Sequence, residues 1–306
     1  MQVFRHIPPH ATKPAALTIG NFDGVHLGHR AVINKLLEQS REQWLAPGVL
    51  TFEPHPREFF TPQLAPARLT SLREKLEMLE ELGVERVYLC RFDQAFAAMA
   101  AQAFVNDILR RLDTRMIFVG KDFRFGADRE GDIATLVRAG IEVESVPNVT
   151  VDKMRVSSTT IRKALTQGDL AQAARLLGRP YSLSGHVTHG DKLGRELGYP
   201  TANIHMLHNR PPLAGIYAVK LSGIAETALP GVASLGVRPT TKENGKPTLE
   251  VHLFDFDRNI YGRHVRVSFL KKLRDEEKFP SLEALKRQIA NDEKMARDFL
   301  KENYDD

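Results

Sequence analysis

Ala15 to Arg30 reads AALTIGNFDGVHLGHR, and its character changes at Gly20. The residues before that point are apolar or small, a run suited to a buried strand, while Leu27 to Ser40 repeats apolar residues at helical spacing. Between them lie the turn dipeptide Asp23-Gly24 and then His26-Leu27-Gly28-His29. A strand passing through a short loop into a helix is the unit of a parallel α/β sheet. Ligands of such sheets bind at the carboxyl ends of the strands. His26 and His29 are three apart and share a face at the helix start. Gly28 leaves the backbone open there, and unpaired N–H groups and the helix dipole favour an anion. Two imidazoles able to donate to phosphate oxygens complete a phosphate site. The other readings are a plain turn with surface histidines, or a metal site that lacks a nearby Cys or a third matching His.

The same rhythm extends outward. PGVLTFEP (Pro47–Pro54), VERVYLCRF (Val84–Phe92), RMIFVG (Arg115–Gly120) and IEVESV (Ile141–Val146) read as strands. LTSLREKLEMLEELG (Leu69–Gly83, with Gly83 as the stop), Phe96 to Arg111 and DIATLVRAG (Asp132–Gly140) read as helices. A mainly parallel sheet with helices on both faces is predicted. Past Gly178-Arg179-Pro180 the pattern turns to short strands separated by Gly, Pro and Asn: YSLSGHVTHG, AGIYAVKLSG, LPGVASLGV, PTLEVHLFDF and RHVRVSFLKKL. That pattern predicts a small barrel or sandwich. A final helix follows, SLEALKRQIANDEKMARDFLKE, with Leu282, Leu285, Ile289, Met295 and Phe299 as its packing residues. The boundary is placed near Arg179 to Ser184.

The chain has 306 residues, 42% of them apolar and 26% charged, with a net charge of +5. Its length suits two domains, and the positive balance suits anionic ligands without choosing between small molecules and nucleic acid. Cys90 is the single cysteine, so no intramolecular disulfide forms and a reducing compartment is expected. The opening MQVFRHIPPHATKP has no apolar run of a signal peptide, and nowhere do 18 apolar residues run together to span a membrane. A cytoplasmic protein is expected. The basic run LKKLR (Leu270–Arg274) reads as a solvated face.

Two further stretches fall where a nucleotide site needs them. GKDFRFG (Gly120–Gly126) brings Asp122 and Arg124 to a strand's carboxyl end, and RVSSTTIRKAL (Arg155–Leu165) opens a helix with Ser157 and Ser158 as candidate caps. Together, His26-Leu27-Gly28-His29, Gly120-x-Asp122-Phe123-x-Phe125-Gly126, Ser157-Ser158-Thr159-x-Ile161-Arg162 and FEPHP (Phe52–Pro56) resemble the signature of the bacterial bifunctional riboflavin kinase/FMN adenylyltransferase (FAD synthetase) family, over nearly the whole chain. The resemblance implies transfer of AMP from ATP to FMN, releasing pyrophosphate. It implies that His26, Gly28 and His29 contact ATP phosphates, that Arg155 binds phosphate, and that Ser158, Thr159 and Arg162 share the growing negative charge, with Mg²⁺ bridging. Phe52 and His55 would bind flavin, and the acid Asp122 would make an adenosine or metal contact.

The second half has its own dense stretch, GHVTHGDKLGRELGYPTAN (Gly185–Asn203). Gly190 and Gly194 flank Lys192, and Arg195 follows, a basic loop of the kind that cradles phosphates. After Pro200 the backbone is extended, so Thr201 and Asn203 project to one side. A hydroxyl and an amide carbonyl suit Mg²⁺, although the four residues can also be a plain turn. In TLEVHLF, alternation separates Leu249, Val251 and Leu253 from Glu250, His252 and Phe254. Glu250 is then either solvent-facing or a placed base for an alcohol that receives a phosphoryl group.

These stretches resemble the same family, whose kinase module is a small β-barrel with a Pro-Thr-Ala-Asn motif and a catalytic Glu. The resemblance implies Glu250 as base for the ribityl 5′-hydroxyl, Thr201 and Asn203 for Mg²⁺-ATP, and Gly190 to Arg195 over the phosphates. Ser234 stands where the family carries Asn. The fold it implies is a Rossmann-like nucleotidyltransferase domain with a parallel sheet (residues 1–180), then a small antiparallel β-barrel riboflavin kinase domain with a C-terminal helix (residues 181–306). Partners are the small molecules riboflavin, FMN, FAD and ATP, with no nucleic acid and no membrane. An adenylyltransferase with an inactive barrel and an RNA-binding protein are the competing readings. The first conflicts with Glu250, Thr201 and Asn203, and the second with the lack of aromatic residues interleaved in a basic stripe.

Overall fold

A computed structural model describes residues 1–190, 194, 197–208, 210–237 and 247–304. The chain forms two compact units, Met1–Pro66 with Leu72–Ser157, and Ala67–Ser71 with Ser158–Asp306.

The first unit contains β1 (Gln2–Phe4), β2 (Ala15–Ile19), α1 (Leu27–Glu42), β3 (Ala46–Glu53), α2 (Pro56–Phe60), α3 (Leu72–Glu81), β4 (Arg86–Arg91), α4 (Gln94–Ala97), α5 (Ala101–Phe104), β5 (Thr114–Gly120), α6 (Ile133–Arg138) and β6 (Glu142–Val146). A two-stranded antiparallel pair, β7 (Thr150–Val151) and β8 (Met154–Arg155), follows. Six strands make one sheet in the order β1-β4-β3-β2-β5-β6, with every pairing parallel. All five residues of β2 are buried, Thr18 among them, which is why that strand is mainly apolar instead of alternating. Leu17 and Ile19 cluster with Phe104, Val105 and Ile108, whereas Ala16 clusters with Leu36 of α1 and with Phe118. Helices therefore cover both faces. The chain builds outward from β2 to β3 and β4 and then returns to β5 on the other side of β2. The switch in direction at β2 and β5 opens a crevice at their carboxyl ends.

The helix expected over Phe96 to Arg111 is not continuous. It is broken into α4, α5 and a π-helical turn, Val105–Leu109. The cause is tertiary. Gly126, with φ of 77°, lies against the backbone of Ala101, where a Cβ would meet Ala101 N at 2.7 Å. Ala127 N donates to Met99 O at 2.8 Å, and Ala101 N donates to the Glu130 carboxylate at 2.8 Å. The loop after β5 takes the hydrogen bonds that a continuous helix would have used.

The second unit contains α7 (Ser158–Thr166), α8 (Leu170–Leu177), β9 (Tyr181–Thr188), β10 (Ala202–Met206), β11 (Gly215–Ser222), β12 (Leu229–Val237), β13 (Pro247–Leu253), β14 (His264–Arg274) and α9 (Leu282–Tyr304). Its six strands close into an antiparallel barrel in the order β10-β13-β12-β11-β14-β9, which settles barrel against sandwich. Leu249, Val251 and Leu253 of β13 are buried, as the alternation requires.

Two sequence expectations need correction here. Leu282 and Met295 of α9 are 57% and 39% exposed, not packing residues. The helix instead buries Asp292, Ala296 and Leu300. Continued at three- and four-residue steps, that face includes Ile289 and Leu285. LKKLR is not a fully solvated face either, because Arg274 is only 19% exposed and pairs with Asp292.

Candidate active sites

The loop that follows β2 is held in a costly conformation. Phe22 and Val25 have φ of 49° and 37°, a region that side chains rarely enter, and both are buried. His26 is the N-cap of α1, and its Nδ1 accepts the backbone N–H of His29 at 3.2 Å. With Nδ1 accepting, the ring's donor is Nε2. The His26 and His29 rings stack with centroids 3.6 Å apart and planes 12° from parallel. Gly28 leaves room for this stack, since a Cβ there would lie 3.1 Å from His26 Cε1 and press on the ring. His29 Nδ1 is enclosed and has no hydrogen-bond partner. Burial pushes the His29 imidazole well below the usual histidine range, with positive charge on His26 and Lys75 adding to the effect. His29 is therefore neutral at pH 7.

At the switch point lies a cleft of about 750 Å³ lined by Gly20, Asn21, Phe52, His55 and the loop from Asp122 to Gly126. Aromatic rings form its walls. Phe92 lies 5.9 Å from Phe52, 5.6 Å from Phe60 and 5.5 Å from Phe96, while Phe123 stacks on Phe125 at 5.7 Å. Arg57, Arg124 and Arg129 add positive charge. An apolar slot edged by arginines accommodates a flat ring bearing a phosphate. His55 also caps α2, its Nδ1 accepting Arg57 N–H at 3.1 Å while its own N–H donates to Glu58 at 3.2 Å. Asp122 accepts from Arg155 at 3.3 Å, both side chains being exposed.

Sequence reasoning missed Phe60, Phe92 and Phe96 as cleft residues. The four-residue spacing of Phe92 and Phe96 was the available signal, but their meeting with Phe52 depends on the fold. Ser158, Thr159 and Arg162 lie on α7 in the second unit, where Arg162 Nε donates to the Ala67 carbonyl at 2.6 Å.

In the barrel, Asn203 of β10 is the register partner of Glu250 of β13, and Ser234 of β12 is its partner on the other side. Thr201 Oγ1 donates to Glu250 Oε2 at 3.4 Å. Thr201, Asn203, Ser234 and Glu250 line one cleft of about 420 Å³, whose apolar residues include Ile216, Val232, Leu285 and Ile289. His252 Nδ1 donates to the Pro200 carbonyl at 2.9 Å, tying β13 to the segment before Thr201. Ser234 Oγ donates to Glu276 at 3.2 Å. Gly190 packs directly on the Asn203 amide, and Gly194 O accepts Tyr199 N–H at 2.7 Å. Lys192 and Arg195 lie outside the described residues. A second cleft, of about 530 Å³, is lined by Val187, Phe256, Arg258 and Tyr261 and shares Thr201 with the first.

Among the described residues, no three His, Cys, Asp or Glu side chains gather as a metal site, and no helix is long and apolar enough to cross a membrane. A switch-point loop with an anion-suited helix start, joined in one chain to a barrel that sets a carboxylate beside a hydroxyl and an amide, defines a two-unit nucleotide-dependent transferase.

Comparison with known proteins supplies the rest. The family model for FAD synthetase matches residues 9–160 and that for riboflavin kinase matches residues 177–300. The bifunctional riboflavin kinase/FMN adenylyltransferase of Escherichia coli K12 is 49% identical, covering 93% of this chain and 92% of that one. The enzyme of the same description from Haemophilus influenzae is 45% identical, covering 98% and 99%. A crystal structure described as a macrolide-efflux protein from Streptococcus pneumoniae superposes with a TM-score of 0.82 at 31% identity, covering 98% of this chain and 96% of that one. The chain belongs to the bifunctional riboflavin kinase/FMN adenylyltransferase family. It phosphorylates riboflavin with ATP to give FMN, then transfers AMP from ATP to FMN to give FAD and pyrophosphate.

Proposed function

We propose that the two reactions run on separate heads, adenylyl transfer on residues 1–180 and riboflavin phosphorylation on residues 181–306. In the kinase head, Glu250 orients the ribityl 5′-hydroxyl and accepts its proton as that oxygen attacks the γ-phosphorus. Riboflavin occupies the apolar cleft that contains Glu250, and ATP occupies the cleft sharing Thr201 with it, its phosphates covered by Gly190, Lys192, Gly194 and Arg195. The observation carrying this assignment is the set of Thr201, Asn203 and Glu250 in one cleft, with Thr201 also lining the second. Its hydroxyl, amide and carboxylate oxygens are hard donors that fit Mg²⁺, with Thr201 and Asn203 holding it. When bound, the ion neutralises charge on the transferring phosphoryl group.

In the adenylyltransferase head, the FMN phosphate attacks the α-phosphorus of ATP in line, so the protein positions and stabilises without forming a covalent bond. His26 donates from Nε2 to ATP phosphate oxygens, with His29 beside it and Gly28 admitting their stack. Asp122 contacts the nucleotide. Arg155, Ser158, Thr159 and Arg162 stabilise the departing pyrophosphate, and FMN lies in the aromatic cleft against Phe52 and His55. The same reading makes this a cytoplasmic enzyme of small-molecule partners, without nucleic acid.

The test is incubation of riboflavin with ATP and Mg²⁺, resolving FMN and FAD by chromatography, for wild type, Glu250→Ala and His29→Ala. Glu250→Ala must fail to phosphorylate riboflavin yet convert supplied FMN to FAD, and His29→Ala must stop at FMN. Retained riboflavin phosphorylation in Glu250→Ala would remove Glu250 from the chemistry.

A further inference from the structure

Within the buried stripe of α9, between Ile289 and Ala296, stands a carboxylate. Asp292 is 4% exposed and its oxygens are fully engaged. Arg274, the last residue of β14, donates from Nε to Oδ1 at 3.0 Å and to Oδ2 at 3.1 Å, and from Nη2 to Oδ2 at 2.8 Å. Gln288 Nε2 adds a bond to Oδ1 at 2.8 Å. The guanidinium is itself fixed, with Nη1 donating to Asp275 O at 3.0 Å.

A pair this buried adds little net stability over an apolar contact, because desolvation offsets the attraction. Its fork geometry, however, admits one arrangement of the two elements. Arg274 and Asp292 line the same cleft as Glu250, and so do Leu285 and Ile289, about two turns and one turn before Asp292 on the helix. A second ionic tie of α9 to the barrel side, Arg297 to Asp255 at 2.8 Å, has side chains 40% and 80% exposed, and exposed pairs hold weakly.

We propose that Arg274 and Asp292 are positioning residues for riboflavin phosphorylation. Their pairing fixes the rotation and axial position of α9, so that Leu285 and Ile289 form the wall against which the isoalloxazine ring packs. Neither group takes part in the chemistry. The inference depends on the cleft of Glu250 being the riboflavin site.

The test uses the full-length protein with Asp292→Asn, Arg274→Lys and the reversed pair Arg274→Asp/Asp292→Arg. The KM for riboflavin should rise roughly tenfold or more in the single variants, as expected of a displaced wall, with the KM for ATP nearly unchanged. The reversed pair should recover part of the loss. FMN adenylation by the same samples should match wild type, and the unchanged KM for ATP certifies that the barrel is folded. A riboflavin KM close to wild type would overturn the inference. So would a parallel loss of riboflavin affinity, ATP affinity and melting temperature, the signature of a merely structural pair. Glu250→Ala separates the two levels. If it keeps kinase activity, the assignment of the cleft fails. If it is inactive while Asp292→Asn behaves as wild type, only the positioning role fails.

Discussion

Replacing Gly190 by alanine perturbs the kinase head at a residue assigned only to cover the ATP phosphates, and leaves Glu250, Thr201 and Asn203 in place. A Cβ on Gly190 would overlap Nδ2, Cγ and Oδ1 of Asn203 at once, while the Gly190 backbone lies outside the left-handed region and tolerates alanine. The Asn203 amide ends a short flexible side chain, so it yields by leaving its rotamer, at about 0.5–1.5 kcal/mol. The strand itself need not move, and melting should fall by only about 2–4 °C. Function is more sensitive. An amide displaced by about 1 Å no longer faces its register partner Glu250 as before, and errors of that size cost about 10²-fold in rate. Riboflavin phosphorylation, followed by FMN appearance at saturating ATP, should drop by that order while FMN adenylation is untouched. Since the effect runs through Asn203, Gly190→Ala added to Asn203→Ala should cost little more than Asn203→Ala alone. Wild-type kinase activity in Gly190→Ala, or full additivity in the double variant, would refute the reasoning.

Phe92→Ala removes the ring that touches Phe52, Phe60 and Phe96. Loss of aromatic contact worth about 0.5–1.5 kcal/mol should raise the adenylation KM for FMN several-fold, with riboflavin phosphorylation as the unaffected control. Because His29 is held below its ordinary value, the unfolded chain takes up this proton first as pH falls from about 6.5, and native stability declines with it. Wild-type melting temperature should therefore fall more steeply below that pH than in His29→Gln; equal slopes would exclude the effect. Chelation of divalent cations should stop riboflavin phosphorylation and restore it on adding Mg²⁺, which a direct FMN assay reads.

The parallel sheet was legible because local and global signals agree. β2 is buried on both faces and so reads as a run of apolar and small residues without alternation, and Gly83 takes φ of 90° just past α3, as a stop should. The His26 to His29 loop stood out because its residues are contiguous. What escaped was assembled across the fold. Phe52, Phe60, Phe92 and Phe125 are far apart in the chain and share only the cleft. The break near Ala98 follows from a loop 28 residues later, whose Gly126 and Ala127 dock there. Asp292 gave no signal in the sequence, since a carboxylate on a buried stripe is identified only by the arginine of a distant strand. Strand alternation located Glu250, yet its neighbours Asn203 and Ser234 became known only with the barrel's register.

The barrel closes on itself, whereas the parallel sheet ends in two free rims, β1 and β6. An unpaired rim is a template for another copy of the chain, and proteins blunt such rims with brevity or charge. Here β1 is three residues long and β6 carries Glu142 and Glu144 in EVESV. Their carboxylates, on one face of the strand, meet like charges if two molecules approach rim to rim. These glutamates thus bear on solubility at high concentration and on refolding yield, quantities to which neither transferase reaction is sensitive.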